Sequence, residues 1–172
     1  PEFPPQPLPP AARLEPVARV IQVVEKATGL VLWGEYDRDA IAAAFGSQNN
    51  PSWKVGHRDI DVGDQHHTVL MVTLRKAGQS KIEHRYADRF LSRTEFQWES
   101  QASTKVAHLK GKRIIGHEKE GRSLHLFVEY DSHQDFTYLG TVKYLAHEGE
   151  APMRVRFQLR AALPEALSRI WS

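Results

Sequence analysis

Met153-Arg154-Val155-Arg156-Phe157-Gln158-Leu159-Arg160 puts an apolar side chain at every second position with polar ones between. That is the period of a strand with one face buried and the other in water. Moving outward, the same period recurs. Thr94, Phe96, Trp98 and Ser100 alternate with Glu95, Gln97 and Glu99. Leu124, Leu126 and Val128 alternate with His125, Phe127 and Glu129, with Phe127 making that segment apolar on both faces. Phe136 to Tyr144 reads as a strand in which Gly140 marks a bulge or a close approach. Thr68 to Leu74 is dense in β-branched and apolar residues, as in a buried strand.

Before residue 55 the period is helical. Val17, Val20, Ile21 and Val24 form one apolar face behind Pro16, with Gly29 as the expected stop. A second short helix is expected from the cap residue Asp37, burying Ala40, Ile41, Ala44 and Phe45 and ending at Gly46. Pro164 to Trp171 is predicted as a closing helix. Helices first and strands after point to an α+β fold with a mostly antiparallel sheet, curled or partly closed into a barrel.

The 172 residues suit one domain with a real core, and 41% hydrophobic against 26% charged is a globular balance. Residues 1–13 hold six of the ten prolines and read as a tail or linker, with Pro1-Glu2-Phe3 as a cloning remnant. Residues 14–172 are then a single domain. No apolar run reaches membrane-spanning length and no signal peptide is legible, so a cytoplasmic protein is expected. With no cysteine, disulfides, thiol nucleophiles and Cys-type zinc sites are excluded. A net charge of +2 does not identify a nucleic-acid binder, but Lys105, Lys110, Lys112, Arg113, His117, Lys119 and Arg122 crowd into one stretch, read as a phosphate-gripping or merely solvated loop. Arg154, Arg156 and Arg160 share one strand face, read as a second basic stripe or equally as the solvent-facing side of a sheet.

Signatures of catalysis are missing: there is no phosphate loop, no Gly-x-Ser-x-Gly and no His-Glu-x-x-His. Nine histidines raise a metal hypothesis, but adjacent His66 and His67 on a strand point to opposite faces and no pair has zinc-site helical spacing. No enzyme activity, metal or cofactor is expected. Residues 85–101, in contrast, gather aromatics, a carboxylate, arginines, a hydroxyl and an amide. Aromatic faces stack on a planar base, and an Asp, Ser or Gln reads its hydrogen-bonding edge. The same periodicity also allows Phe96 and Trp98 to be ordinary core and Asp88 a turn cap.

The ordered series Tyr86-x-Asp88-x-Phe90-x-Ser92-Arg93-x-x-Phe96-x-Trp98-x-Ser100-Gln101, Leu126-Phe127-Val128, Phe136-Thr137-Tyr138-Leu139-Gly140 and His147-Glu148-Gly149, ending near Arg156-Phe157-Gln158-Leu159, resembles a known family. Tyr36-x-Arg38-x-x-Ile41 and Gly56-His57 extend the likeness upstream. The family is a C-terminal domain of unknown function found after phospholipase-D-like nuclease and helicase modules and beside HNH nuclease modules. The resemblance implies an SRA-like, PUA-like barrel that recognises modified cytosine in bacterial type IV, modification-dependent restriction. It implies double-stranded DNA carrying 5-modified cytosine as partner, base flipping as mechanism and a nuclease module of the parent chain as effector. Tyr86, Asp88, Phe96, Trp98, Ser100 and Gln101 become the expected base pocket, and Arg93, Lys105, Lys112 and Arg113 the expected phosphate contacts. A regulatory protein-interaction domain and an RNA-binding PUA-like module are the alternatives.

Overall fold

The computed structural model describes residues 25–75, 88–132 and 134–171. In chain order the elements are β1 (Glu35–Tyr36), α1 (Arg38–Ala44), a 3-10 turn (Pro51–Lys54), β2 (His57–Val62), β3 (Gln65–Arg75), β4 (Arg89–Phe90), β5 (Glu95–Glu99), α2 (Leu109–Ile115), β6 (Arg122–Asp131), β7 (Phe136–Glu148), β8 (Arg154–Leu159) and α3 (Glu165–Trp171). The α+β class expected from chain order is the one observed. The helix expected around Val17–Val24 lies outside the described residues. Its expected stop, Gly29, takes φ +72° and donates its N–H to the Glu25 carbonyl.

One sheet carries the fold, in the order β2-β3-β6-β7-β8-β5-β4, with β1 added on β7. Neighbours are antiparallel except β3 and β6, which run parallel. The two end strands do not pair, so among the described residues the sheet is curled but open.

The parallel pair is buried on both sides, as parallel strands usually are. Leu70, Val72, Leu124, Leu126 and Val128 face one apolar cluster together with Phe96, Trp98, Phe157 and, from α2, Ile114. Val69, Met71 and Phe127 face a second cluster with Phe45, Trp53, Phe136 and Tyr138. Asp37 caps α1 by accepting the Ala40 N–H at 2.8 Å. The buried side of that helix is Ile41, Ala42 and Phe45; Ala40, expected inside, is exposed, because the short helix presents its i, i+1 and i+4 positions to the sheet.

Gly140 sits at φ +85° within a bulge. Leu139 and Gly140 together oppose Leu126, since Tyr138 pairs with Phe127 and Thr141 with His125. The stretch expected as a basic loop contains α2. Gly111 on that helix is buried, and a Cβ there would stand 2.4 Å from the Lys105 carbonyl oxygen. Glycine therefore reflects close packing of the helix on the preceding loop, not mobility. No helix among the described residues is long and apolar enough to cross a membrane.

A polar chain crosses the second cluster. His67 Nδ1 lies 2.9 Å from His125 Nε2, and His125 Nδ1 lies 2.8 Å from the Tyr138 hydroxyl. As expected, His66 points the other way, to Asp61 at the surface. Burial, then the neighbouring His67, pushes His125 down to about 3, and burial lowers His67 as well. The unfolded chain binds protons at these rings below a pH of about 6.5, whereas the fold refuses them. Stability must therefore fall on acidification through this window. Denaturant titrations at pH 7.5 and 5.5 should differ by about 1.4 kcal/mol for His125, with a further loss in the same direction from His67. A flat profile across that interval would show that the rings are not held uncharged.

Candidate nucleic-acid interface

Strand β5 is the spine of the site. Its neighbour β8 pairs Phe157 with Phe96 and Val155 with Trp98, so both aromatics turn inward while Glu95, Gln97 and Glu99 face outward. Phe96 is fully enclosed, with Phe90 edge-on at 4.9 Å between centroids. Trp98 is 5% exposed, lying between the His57 ring at 5.6 Å and Phe157 at 6.1 Å.

Asp88 reaches the same strand from outside: its Oδ1 accepts the Glu99 N–H at 2.8 Å. One residue on, the buried Ser100 hydroxyl accepts the Met153 N–H at 2.8 Å and donates to the Gln101 carbonyl at 3.1 Å. Gln101 Oε1 accepts from Lys110 Nζ at 3.0 Å, which ties the amide side chain to α2. Asp88, Trp98, Ser100 and Gln101 thus converge on the carboxyl end of β5. Tyr86 lies outside the described residues.

The four expected phosphate contacts divide between two places. Lys105 and Lys112 are exposed on the loop and helix that follow Gln101, and Arg113 lies one residue along the same helix. Arg113 donates to Asp59 Oδ2 at 3.1 Å. Arg93 stands at the other end of β5, donating through Nε to the Leu163 carbonyl at 2.7 Å. Arg93 lies in the turn before β5, so the five strand residues Glu95–Glu99, roughly 16 Å at about 3.3 Å per residue, stand between it and Ser100. The second basic stripe is largely neutralised: Arg154 pairs with Glu148 at 3.2 Å and Glu99 at 3.8 Å, and Arg156 with Glu95 at 3.7 Å.

A polar cleft of about 600 Å³ lies elsewhere, over β6, β7 and β8, lined by His117, Arg122, Ser123, Lys143, Gln158 and Arg160 among others. None of the expected base-pocket residues lines it. Among the described residues no group of three or more His, Asp or Glu is placed to hold a metal ion.

Residues 30–169 match the profile of a family described as a domain of unknown function, DUF3427. The chain belongs to the DUF3427 family. Its structure is similar to that of the SUVH5 SRA domain solved with fully methylated CG DNA, with a TM-score of 0.48 and 10% identity over 84% of this chain and 98% of that one. No curated protein matches the sequence.

What pattern reading missed in this DUF3427 domain is a polar hub on β2. Asp59 accepts from Thr68 Oγ1 at 2.5 Å and from Arg113 at 3.1 Å, lies 3.3 Å from His57 Nε2, and has Arg122 at 3.9 Å. Burial pushes its carboxyl up, but the hydrogen bonds from His57, Thr68 and Arg113 outweigh that and hold it far below the ordinary carboxylate range. The hub fixes α2 to β2 beside Trp98. Its only sequence signal is the alternation His57-x-Asp59, which has no meaning until β3 and α2 bring Thr68 and Arg113 to the same place. His117, expected in a basic loop, is instead buried. Its Nε2 accepts the Tyr144 N–H at 3.1 Å, so its proton sits on Nδ1 and goes to the Arg122 carbonyl at 3.0 Å. The ring thereby bridges β6 and β7 where their own ladder has not begun.

Proposed function

We propose that this domain reads 5-modified cytosine in double-stranded DNA by receiving the flipped base beside Trp98, and so directs a nuclease module of the parent protein. The observation that carries the reading is the convergence at the end of β5: an indole, a carboxylate anchored one residue away on the Glu99 amide, then the Ser100 hydroxyl on the Gln101 carbonyl and the Gln101 amide side chain on Lys110. That is the chemistry for one planar, amino-bearing ring. The indole supplies the stacking face and Asp88 accepts from the 4-amino group. The enclosed Phe96 acts as the packing that fixes the indole. Trp98 is itself covered, so the site opens on binding, at a cost added to the few kcal/mol of unstacking.

Lys105 and Lys112 beside Gln101 are suited to the phosphates flanking the flipped nucleotide, with Tyr86 as a further wall and Arg93 as a distant contact. The series of motifs that carries the likeness to this family runs through these same residues, which supports the assignment. Methyl, hydroxymethyl and larger 5-substituents are all candidates.

The test is a titration of one duplex sequence, unmodified or carrying 5-methyl, 5-hydroxymethyl or glucosylated cytosine, at fixed salt. At least one modified duplex should bind tenfold or more tighter than the unmodified one, and Asp88→Ala should remove most of that difference while leaving the salt-dependent, non-specific binding in place. Equal binding of all duplexes rejects the reader function. Competition by RNA regardless of DNA modification would instead favour an RNA-binding module.

A further inference from the structure

Strand β2 carries an imidazole that the pocket described so far does not use. His57 is 3% exposed and meets Trp98 edge-on at 69°. Its Nε2 faces Asp59, a carboxylate that can only accept, so the proton of that bond sits on Nε2. In the neutral ring Nδ1 then presents a lone pair. That atom is buried and makes no hydrogen bond. A buried polar atom left unmatched costs ~1–3 kcal/mol and calls for a reason: strain, a catalytic role, or a bound water, ion or ligand. Arg58 Nε, His67 Nε2 and Arg122 Nε are also unmatched, but only His57 Nδ1 belongs to a ring against Trp98. Here the unmatched atom belongs to a ring in contact with the indole and is oriented by a four-partner hub, so the fold spends structure on aiming it.

We propose that His57 is a base-reading residue whose Nδ1 accepts a hydrogen from the 4-amino group of the flipped cytosine. The inference rests on the reader function proposed above and deepens it. The amino group has two hydrogens, one for Asp88 and one for His57. Thymine has the same ring size and the same 5-methyl group, but its 4-oxo group would set a lone pair against the Nδ1 lone pair. Stacking on Trp98 cannot make this distinction, because every base has a π-face. His57 therefore adds to Asp88 in separating 5-methylcytosine from thymine, and Asp59 acts as its positioning residue.

The experiment compares duplexes with 5-methylcytosine or thymine at one site opposite guanine, bound by the wild-type domain and by His57→Phe, which keeps a ring but removes both nitrogens. The mismatch eases flipping of thymine equally for both proteins. The wild type should favour 5-methylcytosine at least tenfold, whereas His57→Phe should bind it about tenfold more weakly and lose the part of the discrimination that Asp88 does not supply. Full discrimination in a folded His57→Phe domain overturns the role of His57 while leaving the reader function intact. Loss of any preference for modified over unmodified duplex in the wild type defeats the reader function itself. If His57→Phe does not fold, ¹⁵N spectra of the wild-type imidazoles decide. The His57 Nδ1 resonance should move upfield with the 5-methylcytosine duplex and not with the thymine duplex, and an unmoved resonance overturns the proposal.

Discussion

Asp59→Ala should destabilise the domain by ~3–5 kcal/mol, measured by urea denaturation followed through tryptophan fluorescence at pH 7. The side chain is 11% exposed and stands between two arginines, a threonine and a histidine. Removing it strands the Arg122 guanidinium, itself 5% exposed, with only the exposed Asp61 at 3.9 Å as an ionic neighbour. A buried charge deprived of its partner is among the few single changes that reach this size. The pH dependence has a definite sign. The folded carboxyl is depressed, so its contribution is complete above the unfolded value near 4 and is lost as pH falls below it. Wild type and variant should therefore converge only below pH ~4, under the window in which His67 and His125 act. A loss of under 1 kcal/mol at pH 7 would mean that the hub is not a support of the fold.

Trp98→Ala carries the second large effect, and it has two parts. Truncating an indole enclosed by His57 and Phe157 should cost ~3–5 kcal/mol of stability through the cavity left behind. It should also weaken modified-duplex binding by roughly 5- to 150-fold, the equivalent of ~1–3 kcal/mol of base stacking. Trp98→Phe separates them. Phenylalanine fills much of the space and still offers a ring, so stability should return towards wild type and binding should recover in part. Recovery of the fold with no change in binding from wild type in either variant would make Trp98 a core residue and nothing more.

Much of this architecture was legible from alternation. Strands β5 and β8 stand where the period of two places them, because a half-buried strand imposes its two faces directly on the residue order, while β6 stands in its expected place although both its faces are buried. The closing helix and the Asp37 cap were equally plain, since both depend on neighbours in the chain. The α2 helix lies in the stretch expected as a basic loop, and only the Lys105 backbone packed against the helix explains a glycine at 111. In the site, the aromatic strand and Asp88 were visible as a cluster, while the alternation could not say whether Trp98 lines a pocket or fills a core.

Residue order therefore settles the α+β class, the inward turn of Phe96 and Trp98, and the opposite directions of His66 and His67. These follow from helix and strand periods, which act over a few residues. The parallel pairing of β3 with β6 and the meeting of His57, Asp59, Thr68, Arg113 and Arg122 required the folded chain, because those partners lie as many as 65 positions apart and nothing local specifies their approach. Two polar side chains at that separation become one site only when burial of both faces of β3 and β6 forces their strands together.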